Sequence, residues 1–176
     1  MYRCLKAGLN FAVVVIVGSY FSPSVLAMEF VISNATVSSD NIIAVDIAMN
    51  EVSVINCPSG KCYLQGFLSK KEASKYFGFT ENTKGDWIAY QPKPEKAFIV
   101  NNYLACEIVE AACHVVGRMK FNHDDPKYEG PGEYEVKFAR YTGESDNKAG
   151  EYTNALTINL AVATPASTQT PTSGPT

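Results

Sequence analysis

From Met28 onward, apolar and polar side chains alternate with a period of two far more often than with the period of a helix. The clearest run is GPGEYEVKFARYTG, Gly130–Gly143. Tyr134, Val136 and Phe138 fall on one face, Glu133, Glu135 and Lys137 on the other, behind a Pro-Gly turn. Such a pattern predicts a strand buried on one face. EFVISNATV and NIIAVDIAM, rich in β-branched residues and split by SSDN, predict two more strands. VSVIN extends the second towards Cys57, and CYLQGFLSK alternates with Tyr63 and Leu64 on opposite faces. KYFGFT and DWIAYQ flank ENTKG, a hairpin signal with Gly85 near its end. QPKPEK is a break, because two prolines have no place in a central strand. AFIVNNYL, HVVGRMKFN and ALTINLAV complete the strands. ACEIVEAACHV is ambiguous: Glu107, Ala111 and Ala112 tolerate a helical turn, but the run is short. Eight or nine short strands with no long helix predict an all-β antiparallel sandwich rather than a βαβ fold.

The two ends of the chain depart from this pattern. MYRCLKAGLNFAVVVIVGSYFSPSVLA has Arg3 and Lys6, then the apolar run Phe11–Gly18, then Val25 and Ala27 before a cut ahead of Met28. That order predicts a secretory signal peptide over residues 1–27. The apolar run is shorter than the roughly 18–20 residues of a spanning helix, and Pro23 follows it. TPASTQTPTSGPT, Thr164–Thr176, holds no side chain large enough to pack. Residues 163–176 are therefore expected to be a disordered tail, a linker or an O-glycosylated stalk. Residues 28–162 form the expected domain, soluble once the leader is removed and located outside the cell or in its envelope.

Charge and cysteine usage narrow the picture. Without Arg3 and Lys6, 13 basic side chains face 18 acidic ones, a net of about −5. No Lys/Arg run is present, so a nucleic-acid partner lacks its electrostatic footprint. Cys57, Cys62, Cys106 and Cys113 remain, an even number in an exported chain, which predicts disulfides with three possible connectivities. The Pro-Ser-Gly turn in CPSGKC and the short loop in CEIVEAAC favour Cys57–Cys62 with Cys106–Cys113. A four-cysteine zinc site is the rival, but the second spacing misses the usual pattern.

DDPKYEGPGEYEVKFARYT resembles the penultimate-strand region of immunoglobulin-like and fibronectin type III-like sandwiches. The resemblance implies that Tyr134 is the tyrosine of a corner, its hydroxyl bonded back to backbone upstream. Val136 stands where antibody domains carry a cysteine, and Trp87 comes too late to be the tryptophan of strand C, which would begin at Cys62. YLQGFLSKKEASKYFGFTENTKGDWI, YEGPGEYEVKFARYT and TNALTINL together look like secreted sandwich modules of uncharacterised bacterial surface proteins, over roughly Met28–Val162. That likeness implies fold and export and is nearly silent on activity.

Candidate chemistry is sparse. His114 and His123 are the only histidines, and no G-x-S-x-G, H-E-x-x-H or phosphate loop accompanies them, so neither enzyme activity nor a cofactor is expected. Asp124, Asp125 and Glu129, and likewise Glu144, Asp146 and Glu151, suggest calcium loops but lack EF-hand spacing; solvated acidic loops are the simpler expectation. Asn34–Thr36 matches an N-glycosylation sequon. Trp87 and Tyr90, near Tyr76 and Phe77, form the candidate binding surface for a protein or glycan. For Trp87 the competing expectation is core packing. Two functions remain: a non-catalytic binding or adhesion module, or a structural spacer within a surface assembly. A binding face should cluster exposed aromatic side chains, and a spacer should not.

Overall fold

The computed structural model describes residues 27–71, 73–146 and 149–160. The expected leader, apart from Ala27, and the expected tail lie outside the described residues. The elements are β1 (Glu29–Val37), β2 (Ile42–Asn50), β3 (Lys61–Lys70), β4 (Phe79–Glu81), β5 (Trp87–Ala89), α1 (Lys96–Asn102), β6 (Leu104–Glu107), β7 (Cys113–Lys120), β8 (Gly132–Tyr141), β9 (Glu151–Tyr152) and β10 (Leu156–Leu160). They form two antiparallel sheets packed as a sandwich. The first has the order β1-β2-β7-β4-β5 and the second β10-β8-β3-β6, with β9 beside β8 beyond the end of β10.

Alternation builds the core. Ile43, Val45, Ile47 and Met49 of β2 face Leu64 and Leu68 of β3 and Tyr134, Val136 and Phe138 of β8, all buried. The ring of Phe138 fits because glycine faces it from both sheets. A Cβ on Gly117 would lie 2.6 Å from both Phe138 Cζ and Ile47 Cδ1, and one on Gly66 would lie 2.7 Å from Phe138 Cζ. β6 pairs with β3 only at Lys61–Leu64. Further along that free edge, Leu68 and Phe77 exchange backbone hydrogen bonds, and the Thr80 hydroxyl accepts from Gly66 N–H at 2.9 Å. The chain then crosses to the first sheet as β4.

Three segments differ from the sequence-based expectation. AFIVNNYL is not a strand: Lys96–Asn102 is a two-turn helix with no side-chain cap, and its one buried residue is Ile99. Ile99 sits on Tyr63, Phe67, Tyr103, Ala139 and Tyr141, a second apolar cluster on the outer face of the second sheet. Packing, rather than propensity, holds this helix. VSVIN does not extend β2. Asn56 Oδ1 accepts from Ser53 N–H at 3.0 Å and from Ser53 O–H at 2.7 Å, closing a turn that leaves Val54 and Ile55 exposed. The ambiguous ACEIVEAACHV is two strands joined by a tight turn, with Glu110 at φ 49° and Ala111 at φ 59°.

The two described ends lie far apart. Glu29 opposite Asn50 and Met49 opposite Cys113 set the start of β1 at the cysteine-bearing end of the sandwich. Leu160 opposite Gly132 and Lys70 opposite Tyr134 set the finish of β10 at the other.

Candidate functional site

The four cysteines are buried together at one end of the core and form Cys57–Cys62 and Cys106–Cys113, with Cα separations of 5.2 and 6.1 Å. Both separations fall in the ordinary disulfide range of roughly 4.4–6.8 Å. The bonds brace the 53–57 turn and the 108–112 turn. Two disulfides indicate an oxidising, extracellular or periplasmic setting. No helix among the described residues is long and apolar enough to cross a membrane.

Tyr134 is fully buried. Its hydroxyl donates to Gly130 C=O at 2.8 Å and accepts from Glu129 N–H at 3.0 Å, tying the start of β8 to the turn before it. Burial raises its pKa, partly offset by the Glu129 backbone bond.

Trp87 and Tyr90, both candidates for the binding surface, lie on opposite sides, as the alternation along DWIAYQ requires. Trp87 is not in the core. It lies half-buried on the outer face of the first sheet, with the Lys120 ammonium 4.6 Å and the Arg118 guanidinium 5.8 Å from its ring. Its face is thus already covered by cations. Alternation turns Ile88 and Tyr90 the other way, towards the second cluster. Tyr90 N–H donates to Gly78 C=O at 2.9 Å, which carries the chain over the second sheet.

There Tyr90 joins a cleft of about 310 Å³ lined by Phe67, Tyr76, Tyr90, Lys137, Tyr152 and Thr153. Phe67, on the outer face of β3, is the floor. Its ring centroid lies 4.9 Å from Tyr76, 5.6 Å from Tyr90 and 6.0 Å from Tyr152. The rings meet edge-on or tilted, so they form walls rather than a flat stack. Tyr152 is 58% exposed and Tyr76 38%, while Phe67 is only 4% exposed. Register sets Lys137 opposite Phe67 and Tyr152 opposite Ala139. The Thr153 hydroxyl accepts from Phe138 N–H at 3.0 Å and fixes the wall behind. Burial pushes the Tyr90 phenol above its ordinary value, and the neighbouring Tyr152 and Tyr76 phenols add to the shift. The Tyr90 hydroxyl therefore stays protonated at physiological pH. Lys137 Nζ bonds Glu135 Oε2 at 2.9 Å. Lys127 Nζ donates to Tyr76 C=O at 3.0 Å and stands 5.8 Å from the Tyr90 ring.

Wider hollows of about 440 and 480 Å³ lie beside α1 and beside the 51–56 turn and gather no aromatic rings, and one of about 380 Å³ on the first sheet is lined by Phe79, Trp87 and Phe121 with Lys120. Comparison with family models, curated proteins and solved structures finds no match. The aromatic cleft stands on its geometry.

The remaining candidates are dispersed. His114 is exposed beside Cys113, while His123 packs edge-on against Phe121 and Tyr128 at the far end of β7. Asp125 Oδ1 accepts from Lys127 N–H, and Glu129 pairs with Lys75 at 2.7 Å. Glu144 pairs with Lys96 at 3.3 Å, and Asp146 accepts from Lys96 N–H. Among the described residues no three His, Cys, Asp or Glu side chains gather as metal ligands. Asn34 is exposed in the irregular part of β1, where it donates to Asp46 Oδ2 at 2.8 Å.

Proposed function

We propose that this chain is a non-catalytic binding module of the extracellular space or cell envelope, an immunoglobulin-like sandwich that takes its ligand on the outer face of its second sheet. The observation that carries the reading is the cleft in which Tyr76, Tyr90 and Tyr152 surround Phe67. Side chains from four separated stretches converge there, two of them with more than a third of their surface open to solvent. A spacer has no need of such a cluster. The leader pattern and the two disulfides support export. The immunoglobulin-like assignment draws support from the strand orders β1-β2-β7-β4 and β10-β8-β3-β6, which parallel A-B-E-D and G-F-C-C′, and from the Tyr134 corner bond. It departs in one respect: β6, in the C′ position, follows β4 in the chain instead of preceding it.

The test is an array of immobilised glycans and peptides, probed with the full chain and with Tyr76→Ala and Tyr152→Ala. Both residues are exposed enough to be replaced without loss of the fold. Binding that both substitutions abolish supports the module. Binding that neither substitution alters, or no binding at all, returns the chain to the spacer reading.

A further inference from the structure

Resting on the reading of the cleft as a binding site, we infer that its ligand is an anionic sugar, a pyranoside bearing a carboxylate or a sulfate ester. The volume of about 310 Å³ is at the small end of ligand sites, which run from roughly 300 to 1,000 Å³. It suits one or two sugar rings and is too small for a helix or a folded partner. The apolar C–H face of a pyranose stacks on aromatic rings, and the tilted walls of Tyr76, Tyr90 and Tyr152 offer such surfaces at several angles. Among the described residues none of these three hydroxyls takes a protein hydrogen-bond partner, so all are open to the hydroxyls of a sugar.

Charge selects the class. Around the cleft and the Tyr76 loop stand Lys70, Lys75, Lys127 and Lys137, opposed by Glu129 and Glu135. Lys75 and Lys137 have carboxylate partners. Lys127 has none among the described residues: its ammonium holds only the neutral Tyr76 carbonyl, at 3.0 Å. That bond fixes the ammonium at the edge of the rings with donors to spare, where it can meet an anion carried by a stacked sugar. Among the described residues no Asp or Glu lines the cleft, so its walls bring no carboxylate against a negative ligand.

The experiment is calorimetric titration of the full chain with four disaccharides: a free uronate, its methyl ester, a sulfated form and a neutral hexose pair. The variants are Lys127→Gln and Tyr152→Ala, each checked for an unchanged thermal melt. The expected result is that the uronate or the sulfated form binds, with the ester or neutral form about tenfold weaker or worse, the scale of one charge-assisted contact. Lys127→Gln should erase that difference, and Tyr152→Ala should weaken charged and neutral forms alike. The preference between carboxylate and sulfate identifies the anion. Equal affinity for charged and neutral sugars, still dependent on Tyr152, would overturn the anionic assignment and leave the binding module standing. Failure of every saccharide, with Tyr152-dependent binding of some other array component, would overturn the sugar alone. Failure of both would remove the two readings together.

Discussion

Asn154 grips the free edge of β1 with both ends of its amide: its Oδ1 accepts from Ile32 N–H at 2.8 Å, and its Nδ2 donates to Ile32 C=O at 3.1 Å. One side chain thus imitates a neighbouring strand. It joins the edge of the first sheet to the segment leading into β10 in the second, and it occupies backbone groups that would otherwise template association. Asn154→Ala should cost about 1 kcal/mol, because the contact is partly open to water. It should also speed amide exchange at Ile32, read by NMR against Ile47 in the centre of the sheet.

Tyr134→Phe removes one donated and one accepted hydrogen bond from a phenol with no exposed surface. The expected loss is about 1–2 kcal/mol in a urea melt. Glu133→Gln, on the same strand but pointing into solvent, should change stability by less than about 0.5 kcal/mol. Equal melts for the two variants would remove the corner bond from the account of this fold.

Gly117→Ala tests the fit of Phe138. The added methyl would overlap Phe138 of the opposite sheet and Ile47 of the adjacent strand β2. Overpacking of this kind costs about 1–3 kcal/mol. Adding Phe138→Leu to the same chain should recover part of that loss, which a double-mutant cycle of thermal melts would read as coupling.

Burial raises the phenols of Tyr90, Tyr103, Tyr128, Tyr134 and Tyr141 above their ordinary value. In the unfolded chain they ionise near pH 10, whereas the folded chain keeps the protons. Above that pH the folded state binds more protons than the unfolded one, so stability is full below about pH 10 and falls as pH rises past it. Urea midpoints should therefore decline between about pH 9 and pH 11, with phenolate absorbance appearing together with unfolding. A flat midpoint across that window would contradict the burial.

The long alternating strands were legible because one buried face imposes a period of two. β1, β2, β3, β8 and β10 sit where EFVISNATV, NIIAVDIAM, CYLQGFLSK, GPGEYEVKFARYTG and ALTINLAV predict them. The Asn-Thr-Lys-Gly turn also forms the β4–β5 hairpin, with Gly85 at φ 88°. What misled was β-branched composition without periodicity. Phe98, Ile99 and Val100 read as strand, yet only Ile99 is buried, and it packs as a helix on a sheet that the local sequence does not describe. Val54 and Ile55 read as a continuation of β2 and are exposed, because Ser53 and Asn56 close a turn around them. Trp87 shows the limit of average burial: cations on β7, across β4 from its own strand, gave its ring an outer-face setting. The cleft was the least legible feature. Tyr76 and Tyr90 are close enough in the sequence to suggest a common surface, but Phe67, Lys137 and Tyr152 reach the same place only through the pairing of β3 with β8 and of β8 with β9.

That the described chain enters at one end of the sandwich and leaves at the other has a mechanical consequence. Tension drawn through the two ends would slide β1 along β2 and β10 along β8, parallel to the strands. Ladder hydrogen bonds lie across that direction. The seven register pairs of the first couple and the five of the second would share the load at once instead of parting one after another. The Asn154 amide, bridging the two loaded strands, would be stretched with them. A sandwich threaded in this way resists pulling in shear, while the aromatic cleft, on the flank of the second sheet, stays out of the line of force.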